Sequence, residues 1–250
     1  MRRVLFCTLL LALFASSAFA QKNKSWTELS EKEAARILND SPWGQTQIEG
    51  RSDMPSSTSA ITAVAASKRD SERVISSNDA ARSESGQPKS DRTIRYYARF
   101  LSAKPVRGAY AKILMLKKGE TGDESLATQL QEFVNRDFGD YVVVAVTAEA
   151  ADPKLVGPMM QFLTNATADA LKEKVYLERK DGRKLVLADY RPPGPDGMGA
   201  KFVFLRTLEG QPFLTAESDN VRFFAQFNEK TKLNVRYKVS DMMYDGKLEY

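Results

Sequence analysis

Beyond residue 20, every Phe and Tyr in this chain lies between Tyr96 and Tyr250, and only Trp26 and Trp43 come earlier. Residues 44–95 hold no aromatic residue at all. Burying one large apolar side chain stabilises a fold by roughly 1.5–3 kcal/mol, so a core forms where such side chains are dense. One stretch qualifies, residues 93–250, with an outpost at the two tryptophans. Between them, residues 51–92 are crowded with Ser56, Ser57, Ser76, Ser77, Ser83, Ser85 and Ser90, and their apolar patch at 60–66 has mostly small side chains. Such a stretch cannot offset its ordering entropy and reads as a disordered, Ser-rich tether. Trypsin is expected to cut there first, at Lys68, Arg69, Arg73, Arg82 or Arg92, and to leave residues 93–250 intact.

Residues 1–20 read as a secretory leader. Arg2 and Arg3 make its positive start, residues 4–14 an apolar run too short for a membrane span, and Ala18-Phe19-Ala20 a small-x-small cleavage site before Gln21. The expected location is therefore secreted or periplasmic. Cleavage would remove Cys7, the only cysteine, and the chain has no histidine. Without thiols the exported part forms no disulfide and must rely on core burial. Past Ala20 no apolar run approaches the roughly 20 residues of a helical span, so no transmembrane segment is expected. Of 37 basic residues two lie in the leader, against 32 acidic ones, and an excess of about +3 is too small to argue for a nucleic-acid partner.

The outpost, residues 21–50, carries a short helix framed by the tryptophans. Ser30 and Glu33 make a capping box, Ala34, Ala35, Ile37 and Leu38 share a face, and Pro42 predicts an end near Asn39-Asp40. A helix this short is marginal alone. Trp26, Ile37, Leu38 and Trp43 must therefore dock, either on the chain's own domain or on a partner.

Residues 93–250 predict an α+β domain, with helices packed on an antiparallel sheet or sandwich. Residues 94–101 alternate as a strand and 105–117 form an amphipathic helix. A second helix carries Leu126, Leu130, Phe133 and Val134, with Gly139 as its terminating residue. Residues 141–148 are continuously apolar, as in a strand buried on both faces, and 155–172 give one or two helical pieces. Strands follow at 175–180 and 183–190, joined by a type I′ turn at Asp181-Gly182, then at 201–206, 221–227 and 232–239. Asp245-Gly246 sets a last turn, and Met242, Tyr244, Leu248 and Tyr250 share one alternation, predicting a strand that closes the sheet.

Chemistry is sparse. Asp137-Phe138-Gly139 matches a kinase tripeptide without the rest of a kinase, and residues 194–199 are glycine-rich but join strands, so they read as an exposed connection or a rigid lip beside a binding face. No lysine has Ser or Thr three residues before it. Zinc lacks its usual ligands, and no metal or cofactor is expected. Two-carboxylate hydrolysis needs only Asp and Glu, with Asp137, Asp140, Glu149 and Asp152 as candidates flanking the 141–148 strand.

Several segments resemble a family of uncharacterised exported bacterial proteins. They are Trp26-Thr27-Glu28, Glu31-Lys32-Glu33-Ala34, residues 37–46, 136–140, 176–182 and the run 240–250, reading SDMMYDGKLEY. The resemblance implies export and an integral Trp–helix–Trp element, and it brings no activity, cofactor or catalytic residue. The expected function is a non-catalytic binding or interaction protein of the bacterial cell envelope, its partner an envelope protein or an anionic envelope polymer. The alternative is a histidine-free carboxylate hydrolase acting on an envelope polymer or glycan.

Overall fold

The computed structural model describes residues 24–50, 93–119, 124–229 and 231–250. The leader expected at 1–20 and the tether expected at 51–92 fall outside the described residues. In chain order the elements begin with helix α1 (Glu31–Asn39), β1 (Gly44–Glu49), β2 (Ile94–Phe100), α2 (Lys104–Lys118), α3 (Glu124–Asn135) and β3 (Tyr141–Ala150). Next come α4 (Gly157–Asn165), α5 (Ala168–Leu171), β4 (Val175–Arg179), β5 (Lys184–Val186), β6 (Asp189–Arg191) and β7 (Ala200–Leu205). Two-residue strands β8 (Thr207–Leu208) and β9 (Gln211–Pro212), then β10 (Asn220–Gln226), β11 (Lys232–Lys238), β12 (Met243–Tyr244) and β13 (Lys247–Leu248) complete the chain. The fold is α+β, and every strand pairing among the described residues is antiparallel.

The continuous apolar run of β3 becomes the middle of a five-stranded sheet ordered β1-β2-β3-β7-β6, with Val142 to Val146 buried. A four-stranded sheet, β11-β10-β4-β5, faces it across an aromatic core. Phe202 lies 5.7 Å from Phe223 between ring centroids, and Phe100 meets Tyr237 edge-on at 4.8 Å. Tyr237 is fully buried and its hydroxyl donates to the Ala98 carbonyl at 2.9 Å, so this phenol ties the sheets and keeps its polar tip satisfied. At one side the sheet edges are bridged by Gln47, whose amide donates to the Lys232 carbonyl at 2.7 Å and accepts from the Asn234 N–H at 2.8 Å. At the other side the chain itself crosses from β5 to β6.

The N-terminal segment is part of this sheet rather than an appendage. β1 pairs with β2 from Gly44↔Arg99 to Glu49↔Ile94. Helix α1 starts at the Ser30–Glu33 capping box and ends at Asn39, as its sequence dictates. A division at 50/93 is therefore not a domain boundary, because residues 94–100 need β1 as their neighbour. After tryptic cleavage within 51–92, the fragment bearing β1 is expected to stay bound to the rest and to co-elute with it under native conditions. Both tryptophans should keep blue-shifted emission. A free N-terminal peptide on the column would contradict this.

Four local expectations are corrected. Gly139 does not end α3, which stops at Asn135; at φ +52° it forms a turn into β3, its N–H donating to Asp137 Oδ1 at 2.8 Å. The Asp181-Gly182 turn is not type I′, which needs two residues at positive φ, and only Gly182 has it at +84°. Instead the Gly182 N–H donates to the Arg179 carbonyl at 3.0 Å and Arg183 pairs with Arg179, a three-residue loop with the glycine in the left-handed position. Residues 183–190 are not one strand, since β5 belongs to the second sheet and β6 to the first. The C-terminal alternation does not close a sheet. β12 and β13 form their own hairpin, where Asp245 and Gly246 both take positive φ, and Met242 and Tyr250 anchor it in the core.

Candidate binding cleft

Alternation gives the first sheet two faces, and its outer face is covered unevenly. Over β2 the cover comes from the helices through Arg99, which is buried. Its Nε donates to the Leu38 carbonyl at 2.9 Å, Nη1 to Tyr110 Oη and Thr147 Oγ1 at 2.9 Å, and Nη2 to Asn39 Oδ1 at 2.7 Å. Among the described residues no helix packs across the rest of the face. There β3, β7 and β6 bring Tyr141 opposite Leu205 and place Val143, Val203 and Asp189 in one row. Tyr141 is 48 % and Leu205 47 % exposed. They belong to the floor of a cleft of about 820 Å³, a size typical of ligand sites.

Its walls come from loops. The end of α3 supplies Phe133, and the following turn supplies Arg136, Asp137 and Phe138. Phe138 is held by the buried Arg107 guanidinium, 5.1 Å from its ring centroid. Burial pulls Arg107 below its ordinary pKa, to about 10, which leaves it charged at neutral pH. Opposite, the 192–199 loop forms the lip with Asp196 and Met198. Asp196 pairs with Lys201 at 2.8 Å and accepts from the Met198 N–H at 2.9 Å. Burial works to raise the Asp196 pKa, but the Lys201 hydrogen bond, the Met198 N–H and the lysine charge outweigh it and hold the group below its ordinary value. A lowered pKa stabilises the folded lip above the ordinary carboxylate range and is lost as pH falls through the folded value. At neutral pH this pair thus ties the lip to Lys201 of β7.

The residues expected to dock do so within the chain. Trp26 packs against Gly108 of α2 and donates from Nε1 to Gln131 Oε1 at 2.9 Å. Trp43 donates from Nε1 to the Glu249 carbonyl at 2.7 Å and meets Tyr244 edge-on, so the N-terminal and C-terminal segments meet at its ring. Leu38 is buried and Ile37 half-buried in the same core. Their apolar surface is covered by the chain itself, the first of the two dockings open to them, and little of it is left for a partner.

The candidate carboxylates do not converge. Asp137 and Asp140 precede β3 while Glu149 and Asp152 lie at its far end, and a ten-residue strand spans about 30 Å, against roughly 5–10 Å for a glycosidase pair. Glu149 accepts from the Tyr97 hydroxyl at 3.2 Å, and Asp152 caps the Lys154 N–H at 3.0 Å. Of the four only Asp137 lines the cleft, joined there by Asp189 and Asp196, which sequence reasoning passed over. Asp189 lies 3.6 Å from Arg191 Nε. Among the described residues no group of three or more His, Cys, Asp or Glu is placed to hold a metal ion, and no helix is long and apolar enough to cross a membrane.

No protein family and no curated protein matches this chain by sequence. Among solved structures, a novel protein of unknown function from Burkholderia pseudomallei K96243 is similar at a TM-score of 0.38 and 10 % identity, over 61 % of this chain and 77 % of that one. A likeness of that degree transfers neither fold nor function.

Proposed function

We propose that this chain is an exported, non-catalytic binding protein of the bacterial cell envelope, and that the cleft over β3, β7 and β6 receives an extended segment of an envelope protein. The observation that carries the reading is the apolar floor left in solvent, with Tyr141 and Leu205 side by side across two strands. Contiguous exposed apolar surface inside a concave site is characteristic of binding. A polypeptide suits it because β6 is the terminal strand of its sheet, so an incoming strand can pair along its other edge while side chains enter the floor. The leader and the family resemblance support an envelope location.

Carboxylate chemistry has one supporting observation, since Asp137, Asp189 and Asp196 line the same cleft. Against it, Asp196 is held ionised by Lys201, the reverse of what a general acid needs, and Asp189 lies against Arg191. The test uses residues 21–250 incubated with a solubilised envelope fraction from the native host and with purified peptidoglycan. Retention of an envelope protein is expected, weakened about tenfold or more by Leu205→Asp, which sets an unpaired charge on the floor. Peptidoglycan mass should stay unchanged. A shortened glycan, produced by the wild type and not by Asp137→Asn or Asp189→Asn, would establish the hydrolase instead.

A further inference from the structure

The outer face of the second sheet carries a charge arrangement that neither the core nor the cleft explains. Its strands alternate, so Tyr176 and Glu178 of β4, Lys184 of β5, Arg222 and Phe224 of β10, and Lys232 and Arg236 of β11 all face away from the core. In register, one cross-strand row reads Lys184, Glu178, Arg222, Arg236. The single carboxylate of that row is shared, accepting a hydrogen bond from Arg222 and pairing with Lys184 at 3.5 Å. Arg236 stands directly opposite Arg222 and, like Lys232, has no acidic partner among the described residues.

Like charges directly opposite one another weaken an antiparallel pair. Lysines on an edge strand have a protective use, since they discourage pairing with other sheets, and β11 is an edge. That accounts for Lys232 but not for Arg222, which lies on an inner strand. In the adjoining row Tyr176 stacks on Phe224 with centroids 4.9 Å apart, Asn234 lies opposite Phe224, and the Arg222 guanidinium is 5.6 Å from the Phe224 centroid. The face therefore presents two adjacent guanidinium forks, a further cation along β11, an aromatic edge and an amide.

We infer that this face binds an anionic glycan. Directly opposed residues on paired strands lie about 5 Å apart, so Arg222 and Arg236 can grip one carboxylate between them. The sugar ring lies along the Phe224/Asn234 row, where apolar ring surface and an amide match its C–H face and hydroxyls. Lys232, four residues and about 13 Å along β11 from Arg236, takes a further charge of the polymer, beyond the sugar that lies on the Phe224/Asn234 row. The site is separate from the cleft and does not depend on the cleft's ligand. A lipid bilayer fits it less well, because the aromatic pair is half-buried rather than projecting.

The probe is polygalacturonate, a glycan with regularly spaced carboxylates, titrated against the purified protein at low and physiological salt. Dextran serves as the neutral control, with duplex DNA and vesicles of phosphatidylglycerol and phosphatidylethanolamine as the other anionic classes. Binding to polygalacturonate and not to dextran is expected, falling with salt. The double variant R236S/K232S changes only exposed side chains with no acidic partner among the described residues, and it should lower affinity about tenfold or more, with a shallower salt dependence. Phe224→Ser should weaken binding without changing the salt dependence, and Leu205→Asp should leave it untouched. Failure to bind polygalacturonate, equal binding to dextran, tighter binding to DNA or vesicles, or indifference to R236S/K232S would each overturn the inference.

Discussion

Gly199→Ala is expected to destabilise the protein by about 4 kcal/mol, near the upper end of what single substitutions do. Gly199 lies at the foot of the cleft lip, at φ +84°, just before β7 pairs with β3. A Cβ there would stand 2.1 Å from the Val146 carbonyl oxygen and 2.5 Å from Thr147 Cγ2. The first of these is backbone in the middle strand of the sheet and cannot yield without breaking the β3–β7 register. Two glycines of the same loop act as internal controls. Gly197 also has positive φ, at +69°, but an added Cβ meets nothing within 4 Å, so Gly197→Ala should cost only about 1 kcal/mol. Gly194 is free of both constraints, and Gly194→Ala should be close to neutral. Urea unfolding at constant slope is the measurement. Equal losses at 197 and 199 would mean the close approach to Val146 does not exist.

Arg99→Ala should cost about 3 kcal/mol, by a different mechanism. Three of the hydrogen bonds that hold α1 and α2 to β2, and a fourth to Thr147 of β3, radiate from this one buried guanidinium. No acidic side chain is among these partners, so the charge is held by dipoles and by the Tyr97 ring, 4.7 Å from the guanidinium carbon. Removing it leaves the Leu38 carbonyl and the Tyr110 hydroxyl buried without their donor. Arg99→Met keeps much of the packing but none of the donors, and it should recover less than half the loss. Tryptophan emission should shift red in both variants at denaturant concentrations that leave the wild type native, as α1 and Trp43 come away first. A loss below about 1 kcal/mol for Arg99→Ala would show that packing alone holds the N-terminal segment.

The elements that could be read from the chain are those whose side chains carry their own periodicity. β11 alternates without a fault, β10 does so except for the outward Phe224, and the apolar run of β3 announces a strand covered on both sides. β1 was hidden for the opposite reason. Gly44-Gln45-Thr46-Gln47-Ile48-Glu49 has almost no apolar content, and it is a strand because the backbone of β2, distant in sequence, needs a partner on that edge. The break between β5 and β6 did leave a trace: Leu185 and Leu187 point inward on odd positions, then Tyr190 does so on an even one. That change of phase at Ala188 is where the chain passes between sheets.

The cleft left no such trace. Tyr141, Asp189 and Leu205 belong to three strands, and only the register brings them together. What could be seen was the loop at 194–199, readable as an exposed connection or as a lip, and its Asp196 and Met198 line the cleft. The tryptophans announced a need for cover and left open whether the chain or a partner supplies it. The cover is Gly108, Gln131 and the Glu249 carbonyl, residues of the chain's own domain far along the sequence, which no local pattern identifies.

The most direct test places a photo-activated benzophenone side chain at position 205 on the cleft floor, and in a second protein at position 48 on β1. Ile48 is more exposed than Leu205, at 63 %, yet lies away from the cleft. After export in the native host and irradiation, the proposal predicts a discrete crosslinked envelope protein from position 205 and none from position 48. The same crosslink from both positions, or from position 48 alone, would contradict the assignment of the cleft as the binding site.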